Sequence, residues 1–269
     1  MLVTPAHRPR KRFGQHFLAD QTIVESIVEA ISPRPDDRIV EIGPGQAALT
    51  VPLLKRIPHL DVVELDRDLV AELHQRFKPE QLTVHAGDAL DFDFGSLGKD
   101  LRIVGNLPYN ISTPLLFHLA QYARCVSDMH FMLQKEVVER MVAAPSTADY
   151  GRLSVMLQDR FDMQSLFEVP PEAFRPPPKV DSAVVRMRPL SQAERAARGA
   201  AADEAVFAQV VAAAFGMRRK TLRNSLANVI GGAELARLGI DPGARAENLA
   251  AADFARIADH CAARERQAG

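Results

Sequence analysis

The sequence predicts an α/β fold with a doubly wound parallel sheet, followed by a small all-helical domain. Short apolar runs alternate with amphipathic segments through the first half of the chain, which is typical of strands and helices in turn. A glycine-rich turn follows an early apolar run, and the chain from residue 204 onwards has a helical pattern. Strands that alternate with helices form a sheet that binds ligands at the carboxyl ends of its strands.

The predicted elements begin with a helix after Asp20, because Asp is a good N-cap and apolar residues follow at helical spacing. The predicted strands span residues 38–42, 60–65, 82–85, 101–104, 128–133, 164–169 and 183–187. The predicted helices that lie between and after them span residues 47–56, 68–77, 114–122, 135–141 and 150–161.

Three segments are predicted along the chain. An α/β domain spans residues 1–190, a linker spans residues 191–203, and a helical domain spans residues 204–269. The linker is rich in Ala, Arg and Glu and poor in large apolar residues, which favours a connection over a packed element.

The composition is that of a globular protein, with 47% hydrophobic and 25% charged residues among 269. The net charge of −1 does not indicate a nucleic-acid partner, so the placement of the basic residues matters more. The two cysteines lie far apart, which excludes a disulfide scaffold, and we predict no metal site. We expect a cytoplasmic protein without a membrane span, and a monomer, since no secretory signal, long apolar run or heptad repeat is evident.

A glycine-rich turn, Gly43-Pro44-Gly45, follows the first strand of the predicted sheet. Glycine lets the backbone turn tightly and approach a ligand closely, because no Cβ intervenes. Glu64 ends the next strand, where a carboxylate can accept hydrogen bonds from both hydroxyls of a ribose. Since Ala48 completes a relaxed dinucleotide fingerprint, the pattern fits an NAD enzyme, a methyltransferase or a purely structural turn.

Asp88 lies just past the third predicted strand. Its carboxylate can accept from the amino group of an adenine, and the alternative is an ordinary turn cap. The functional interpretation gains from Gly43 and Glu64, because three successive strand ends then direct polar groups into one crevice.

The segment Asn106-Leu107-Pro108-Tyr109 follows the fourth strand and resembles the catalytic motif of methyltransferases that act on exocyclic amines of bases. The N6 lone pair of adenine is delocalised into the ring and is a poor nucleophile. Carbonyl oxygens of the Asn106 side chain and the Leu107 backbone can accept its hydrogens and stabilise the positive charge that develops. Pro108 fixes the backbone, and Tyr109 offers a ring for stacking. Taken alone, the segment also fits a strand-end turn.

A proline-rich stretch runs from Phe174 to Ser182. A stiff loop of this kind can place the Phe174 ring over a base that has left its stack, as chemistry at N6 requires. The alternative is a polyproline connector.

Together these motifs resemble the ribosomal RNA adenine dimethyltransferase family over nearly the whole chain. The resemblance rests on residues 10–18 (RKRFGQHFL), 41–45 (EIGPG), 105–109 (GNLPY) and 174–182 (FRPPPKVDS). It implies a Rossmann-like class I methyltransferase that uses S-adenosyl-L-methionine. The residues that it implies for the cofactor site are His16, Leu18, Gly43, Gly45, Glu64, Asp88 and Asn106. Position 16 is often Asn in the family.

The resemblance also implies an RNA partner. Bacterial members of the family dimethylate two adjacent adenines in the 3′-terminal hairpin loop of 16S rRNA, on an assembling small ribosomal subunit. The basic residues predicted to contact RNA are Arg10, Lys11, Arg12, Arg218, Arg219, Lys220 and Arg223. If the second cluster is helical, Arg219 and Arg223 share a face suited to phosphates, while Leu222 and Leu226 face inward.

Three rival functions differ in class or substrate. The basic run 218–223 and the Phe174 loop argue against the first rival, a sister enzyme that methylates large-subunit RNA and confers macrolide resistance. An assembly or transcription factor without catalysis has no need of the intact motifs at Gly43, Glu64 and Asn106. An NAD-linked oxidoreductase has no use for the Asn106 segment.

Overall fold

The computed structural model describes residues 16–217 and 219–268. The strands are β1 (Phe17–Leu18), β2 (Arg38–Ile42), β3 (Leu60–Glu64), β4 (Leu82–Ala86), β5 (Leu101–Asn106), β6 (Val126–Gln134), β7 (Phe161–Val169), β8 (Phe174–Arg175) and β9 (Ser182–Pro189). The helices are α1 (Gln21–Ile31), α2 (Thr50–Leu53), α3 (Arg67–Arg76), α4 (Ser112–Ala120), α5 (Lys135–Val142), α6 (Arg152–Gln158), α7 (Gln192–Ala197), α8 (Glu204–Phe215), α9 (Leu222–Ser225), α10 (Gly232–Arg237) and α11 (Ala251–Ala268). Within these described ranges, none of the helices combines the length and the apolar character that crossing a bilayer demands.

Helix α1 begins where the sequence predicts. The Asp20 carboxylate accepts hydrogen bonds from the main-chain N–H groups of Thr22 and Ile23, which otherwise lack partners in the first helical turn. Ile27 and Ile31 are among the residues that α1 buries. They join Leu53, Val62 and Val104 in one apolar core, so α1 packs onto the sheet.

Seven strands form one sheet in the order β4-β3-β2-β5-β6-β9-β7. The first five of these run parallel, and β9 lies antiparallel to β6. The strand order reverses between β2 and β5, so the crevice outside their carboxyl ends is where such a sheet binds ligands. The predicted Rossmann-like sheet is confirmed, with an antiparallel addition at one edge.

Helix α2 is shorter than the predicted segment 47–56. Gly43, Gly45 and Ala47 have φ angles of +65°, +54° and +67°, which lie outside the right-handed helical region. The Ala47 amide donates to the Pro44 carbonyl at 2.8 Å and closes a turn. The chain therefore enters the helix only at Thr50, and the preceding loop runs along the crevice.

The chain divides into two compact units. The first holds the described residues up to Val138 together with residues 164–189, and the second holds residues 139–163 and 190 onwards. The second unit has its own apolar core, in which Tyr150 and Phe254 are buried. Residues 139–163, predicted within the first domain, thus pack with the C-terminal helices. The predicted linker contains α7, whose N-cap Ser191 accepts from the Glu194 amide.

Candidate active site

One pocket lies at the carboxyl ends of the parallel strands, and most of the residues predicted for the site line it. The predicted residues that line it are His16, Leu18, Gly43, Gly45, Glu64, Asp88, Asn106, Leu107, Pro108 and Tyr109. Phe174 does not line this pocket. The pattern of strand ends in the sequence therefore predicts the position of the site.

The glycine-rich loop shapes one wall of the pocket. The Gly43 amide donates to the Val63 carbonyl at 2.9 Å, which ties the loop to the end of β3. Gly45 combines a φ of +54° with a close neighbour, since a Cβ there would lie 3.0 Å from the Phe17 ring. Both the backbone conformation and the limited space thus favour glycine at this position.

Glu64 ends β3 and points its carboxylate into the loop. One oxygen accepts from the Asp66 amide at 2.8 Å, and the other accepts from the Gly45 amide at 3.3 Å. Burial raises the pKa of Glu64, while these two hydrogen bonds oppose the rise. The carboxylate is therefore held in place by the backbone of the loop that it faces.

Glu41 is a second buried carboxyl group that lines the same pocket. Thr50 donates its hydroxyl to Glu41 at 2.6 Å. Burial raises the pKa of Glu41 to about 7, and repulsion from Glu64 adds to the rise. Binding of a positively charged ligand would favour the ionised form of both carboxyl groups.

Asp88 serves as a turn cap and also lines the pocket. One of its oxygens accepts from the Leu90 amide at 2.9 Å. Since a carboxylate has several acceptor sites, this bond leaves capacity for a donor on a ligand. The cap and the binding role, which the sequence presents as alternatives, are compatible.

Asn106 is the last residue of β5, and its side-chain amide is oriented by the chain. The Nδ2 atom donates to the main-chain carbonyl of His16 at 3.0 Å. A carbonyl only accepts, so this contact takes the NH₂ group and leaves the Oδ1 oxygen as the acceptor for another donor. At its other end, the Oδ1 atom, the amide can therefore accept a hydrogen bond but cannot donate one.

The loop that follows Asn106 is held at both sides. The Leu107 amide donates to the Met132 carbonyl at 3.1 Å, and the Ser112 hydroxyl donates to the Pro108 carbonyl at 3.0 Å. The first contact ties the loop to β6, and the second ties it to the start of α4. The backbone of Leu107 and Pro108 is consequently held in place.

Tyr109 presents a ring whose position is fixed at its hydroxyl end. The hydroxyl lies 2.6 Å from the hydroxyl of Ser182, which is buried at the start of β9. Burial raises the pKa of Tyr109. The phenol therefore stays protonated at neutral pH.

Comparison with known proteins places this chain in a family. A profile described as "Ribosomal RNA adenine dimethylase" matches residues 6–263 of the chain. The chain belongs to the ribosomal RNA adenine dimethylase family. It is 64% identical over 258 residues to a ribosomal RNA small subunit methyltransferase A from Thiobacillus denitrificans, which covers 96% of this chain and all of that one. A protein of the same name from Aromatoleum aromaticum is 61% identical and covers 97% of each chain.

Solved structures agree with this family assignment. A dimethyladenosine transferase from Plasmodium falciparum is 25% identical and superposes with a TM-score of 0.76, covering 90% of this chain and 96% of that one. The 23S rRNA methyltransferase ErmE shares the fold, with a TM-score of 0.66 at 24% identity over 91% of this chain. The methyltransferase fold that the sequence predicts is thereby confirmed.

Phe174 is the predicted site residue that the structure places elsewhere. Its ring is fully buried in the apolar core. Its backbone pairs with Leu18, so that β8 holds β1 against the first unit. The prediction that this ring covers the target base is wrong for this structure, because the ring is buried in the core and does not line the pocket. The proline-rich stretch contributes the Ser182 hydroxyl instead.

The basic residues predicted to contact RNA fall into two groups. Arg10, Lys11, Arg12 and Arg218 lie outside the described residues. Arg219, Lys220 and Arg223 are exposed. The condition that the whole cluster is helical is not met, because α8 ends at Phe215 and only Arg223 lies in α9. Leu222 and Leu226 are fully buried, as predicted.

Three residues that line the pocket or support it could not be predicted from the sequence. Glu41 stands within the glycine motif, yet its burial depends on packing that spacing alone does not show. Ser182 ends the proline-rich stretch and gains its role only by reaching Tyr109 across the fold. Leu65 is apolar but 46% exposed, and it lines the pocket beside Glu64. Such a side chain offers a flat ligand ring an apolar surface.

Proposed function

We propose that this chain transfers methyl groups from S-adenosylmethionine to N6 of two adjacent adenosines in the 3′-terminal hairpin loop of 16S rRNA, dimethylating each. The observation that carries the proposal is the Asn106-Leu107-Pro108-Tyr109 loop in a pocket that Gly45 and Glu64 also line. Family membership and the high identity to named small-subunit methyltransferases support the substrate.

The pocket fits S-adenosylmethionine on the chemistry of its walls. When bound, this group supplies an electrophilic methyl on a positively charged sulfonium. The Glu64 carboxylate can accept from ribose hydroxyls, and Asp88 can accept from the adenine amino group. Gly45 lets the loop pass close to the Phe17 ring, which a Cβ would meet at 3.0 Å. The buried carboxyl groups of Glu41 and Glu64 favour a cationic ligand.

The loop after β5 supplies what an aromatic amine needs for attack. Asn106 keeps Oδ1 as an acceptor because its Nδ2 is committed to His16. Together with the Leu107 carbonyl, Oδ1 can hold the two N6 hydrogens, draw the nitrogen towards a pyramidal form and stabilise its developing charge. Tyr109 offers a stacking face that positions the base, and orientation of the reactants supplies much of the remaining rate.

The RNA partner is proposed to be the assembling small ribosomal subunit. Arg219, Lys220 and Arg223 present positive charge in the second unit, where they suit backbone phosphates. The three further basic residues of the N-terminal cluster and Arg218 are proposed to contribute in the same way. We further propose that the protein acts as a monomer in the cytoplasm, where its ribosomal substrate is assembled, and that it takes part in small-subunit biogenesis.

A methyl-transfer assay tests this function. Tritiated S-adenosylmethionine is supplied with under-methylated small subunits, mature large subunits or free RNA, and the labelled nucleosides are identified. Wild type is compared with Asn106→Ala and with Asn228→Ala, an exposed asparagine of the second unit. We expect N6,N6-dimethyladenosine in small-subunit RNA with wild type and Asn228→Ala, and its loss with Asn106→Ala.

The other outcomes separate the rivals. Label found only in large-subunit RNA would make the chain a resistance-type enzyme. Cofactor binding without transfer to any substrate would indicate an assembly factor that has lost catalysis. Equal transfer by wild type and Asn106→Ala would remove the loop after β5 from the mechanism.

A further inference from the structure

Ser182 is the first residue of β9 and lies at the edge of the sheet that carries the pocket. Strand β9 runs antiparallel to β6, and Ser182 pairs with Gln134, the last residue of β6. An antiparallel strand therefore begins at the edge where its parallel neighbours end. The topology thus brings the start of β9 to the side of the sheet on which the loop after β5 lies.

The Ser182 side chain is fully buried and reaches Tyr109 in that loop. The two hydroxyl oxygens lie 2.6 Å apart, although the residues are 73 positions apart in the chain. Within the described ranges, the Ser182 hydroxyl makes no other hydrogen bond. Buried hydroxyl groups need a partner, and the contact with Tyr109 supplies it whichever hydroxyl donates. Loss of this contact would leave a buried polar group unsatisfied.

The position of Ser182 is itself set by its neighbours in the chain. The carbonyl of Asp181 accepts from the Lys135 amide at 3.0 Å, which ties the residue before Ser182 to the start of α5. The residues after it, Ala183 and Val184, are buried and pair with the end of β6. Ser182 is therefore an anchor on the framework of the sheet rather than part of a free loop.

The bond to Ser182 restrains the Tyr109 ring at the end where restraint is most effective. In a tyrosine the hydroxyl and the Cβ lie at opposite ends of the ring, so the backbone holds one end and Ser182 holds the other. The direction of the long axis of the ring is then fixed. A ring that is fixed before its partner arrives loses less conformational entropy when a base stacks on it.

Tyr109 lines the pocket, whereas Ser182 does not. We propose that Ser182 is a positioning residue for methyl transfer, because its hydroxyl holds the Tyr109 ring ready for the target adenine. The inference rests on the proposed function and adds a residue from outside the pocket. It also gives the proline-rich stretch a part in the reaction, although the Phe174 ring of that stretch is buried in the core.

A double-mutant cycle tests this role. Ser182→Ala and Tyr109→Phe each remove one hydroxyl group and keep the rest of the side chain, so each breaks the same bond, and the double variant completes the cycle. Ser154→Ala is the control, because Ser154 is equally buried and its hydroxyl donates to the Arg140 carbonyl in the second unit. Urea unfolding gives the stability of each variant. The kcat/KM for under-methylated small subunits is measured at saturating S-adenosylmethionine.

Fluorine spectra report on the contact without any turnover. The chain has only three tyrosines, so 3-fluorotyrosine labelling gives three ¹⁹F signals. The signal that is lost in Tyr109→Phe belongs to Tyr109. Ser182→Ala should shift this signal and leave the other two in place, because it changes the surroundings of the Tyr109 hydroxyl alone. Ser154→Ala should leave the Tyr109 signal where it is.

We expect Ser182→Ala to lower kcat/KM about three- to ten-fold, which corresponds to the usual net contribution of one hydrogen bond. Tyr109→Phe should lose about as much. The double variant should lose no more than either single variant, because both changes break one bond. Ser154→Ala should keep the wild-type kcat/KM even where its stability falls.

Additive losses in the double variant would overturn the inference, since Ser182 would then act independently of Tyr109. An unchanged kcat/KM in Ser182→Ala, or an unmoved Tyr109 signal, would overturn it as well. Equal losses of kcat/KM in Ser182→Ala and Ser154→Ala would show a general effect of stability. These results leave the proposed function standing as long as wild type transfers methyl groups. Absence of transfer by wild type would instead overturn the proposed function, and this inference with it.

Discussion

The backbone of Gly105 passes so close to β2 that a Cβ on Gly105 would lie 2.5 Å from the carbonyl oxygen of Ile42. Real Cβ atoms do not approach an oxygen this closely, and the obstacle is backbone rather than a flexible side chain. Gly105 immediately precedes Asn106, so the distance between the neighbouring strands sets the position of the loop after β5, which is proposed to be catalytic.

The substitution Gly105→Ala should therefore impair the reaction more than the fold. We expect a loss of about 1–3 kcal/mol in the free energy of unfolding from overpacking. We also expect a fall in kcat of about a hundred-fold, since a shift of about 1 Å at a reacting group has that effect. Gly151→Ala is the control, because its Cβ would meet nothing within 4 Å. Urea unfolding and methyl transfer measure the two quantities, and an unaltered kcat would contradict the argument.

The sequence predicts the strand ends well because local signals define them. Gly43, Glu64 and Asn106 each follow or end an apolar strand, and parallel strands bring their carboxyl ends to one edge of the sheet. The N-cap Asp20 and the buried pair Leu222 and Leu226 are likewise visible in local spacing. Position along a strand is thus enough to assemble the main walls of the pocket.

What the sequence does not predict depends on distant contacts. Phe174 is buried because it pairs with β1, and that pairing joins residues far apart in the chain. The helical pattern that spans Arg219 and Arg223 is interrupted where the amide of Leu222 donates to the carbonyl of Ala244. Local helical spacing competes there with a tertiary hydrogen bond, and the tertiary contact wins.

Glu64→Gln should weaken cofactor binding, and it also removes the acceptor of one of the two backbone N–H groups that Glu64 holds. Gln has nearly the same size, but it removes the negative charge that accepts from Gly45 and from the proposed ribose hydroxyls. Hydrogen bonds to a charged group contribute about 1.5–3 kcal/mol, so Kd for S-adenosylmethionine should rise about 10- to 100-fold. Isothermal titration calorimetry measures this, with exposed Glu25→Gln as the control. An unchanged Kd in Glu64→Gln would remove it from the cofactor site.

Glu41→Gln should change how stability depends on pH. The folded-state pKa of Glu41 is raised from 4.5 to about 7, so between these values the folded state holds a proton that the unfolded state has released. The free energy of unfolding should then fall as pH rises through this window, by roughly 3 kcal/mol in total, and stay low above it. Gln does not titrate and avoids this loss.

The measurement for Glu41 is urea unfolding at several pH values across the window. The stability of Glu41→Gln relative to wild type should increase steadily from about pH 5 to about pH 7 and then level off. Glu25→Gln should follow wild type throughout. Parallel curves for wild type and Glu41→Gln would show that the Glu41 carboxyl ionises at its ordinary pKa in the folded protein.

Reversing the charge of Arg219, Lys220 and Arg223 to Glu should weaken binding to small subunits and leave cofactor binding unchanged. All three side chains are exposed, so the fold should tolerate the change. Each lost phosphate contact lowers the slope of log K against log salt by about 0.7–0.9, and three contacts should lower it by roughly 2–3.

The matched control reverses Lys55, Arg56 and Lys78, which are exposed in the first unit. Filter binding at several salt concentrations gives affinity and slope together. A slope and an affinity equal to those of wild type in the first variant would show that these residues do not contact RNA. An equal loss in both variants would mean that net charge, rather than this cluster, directs the protein to the subunit.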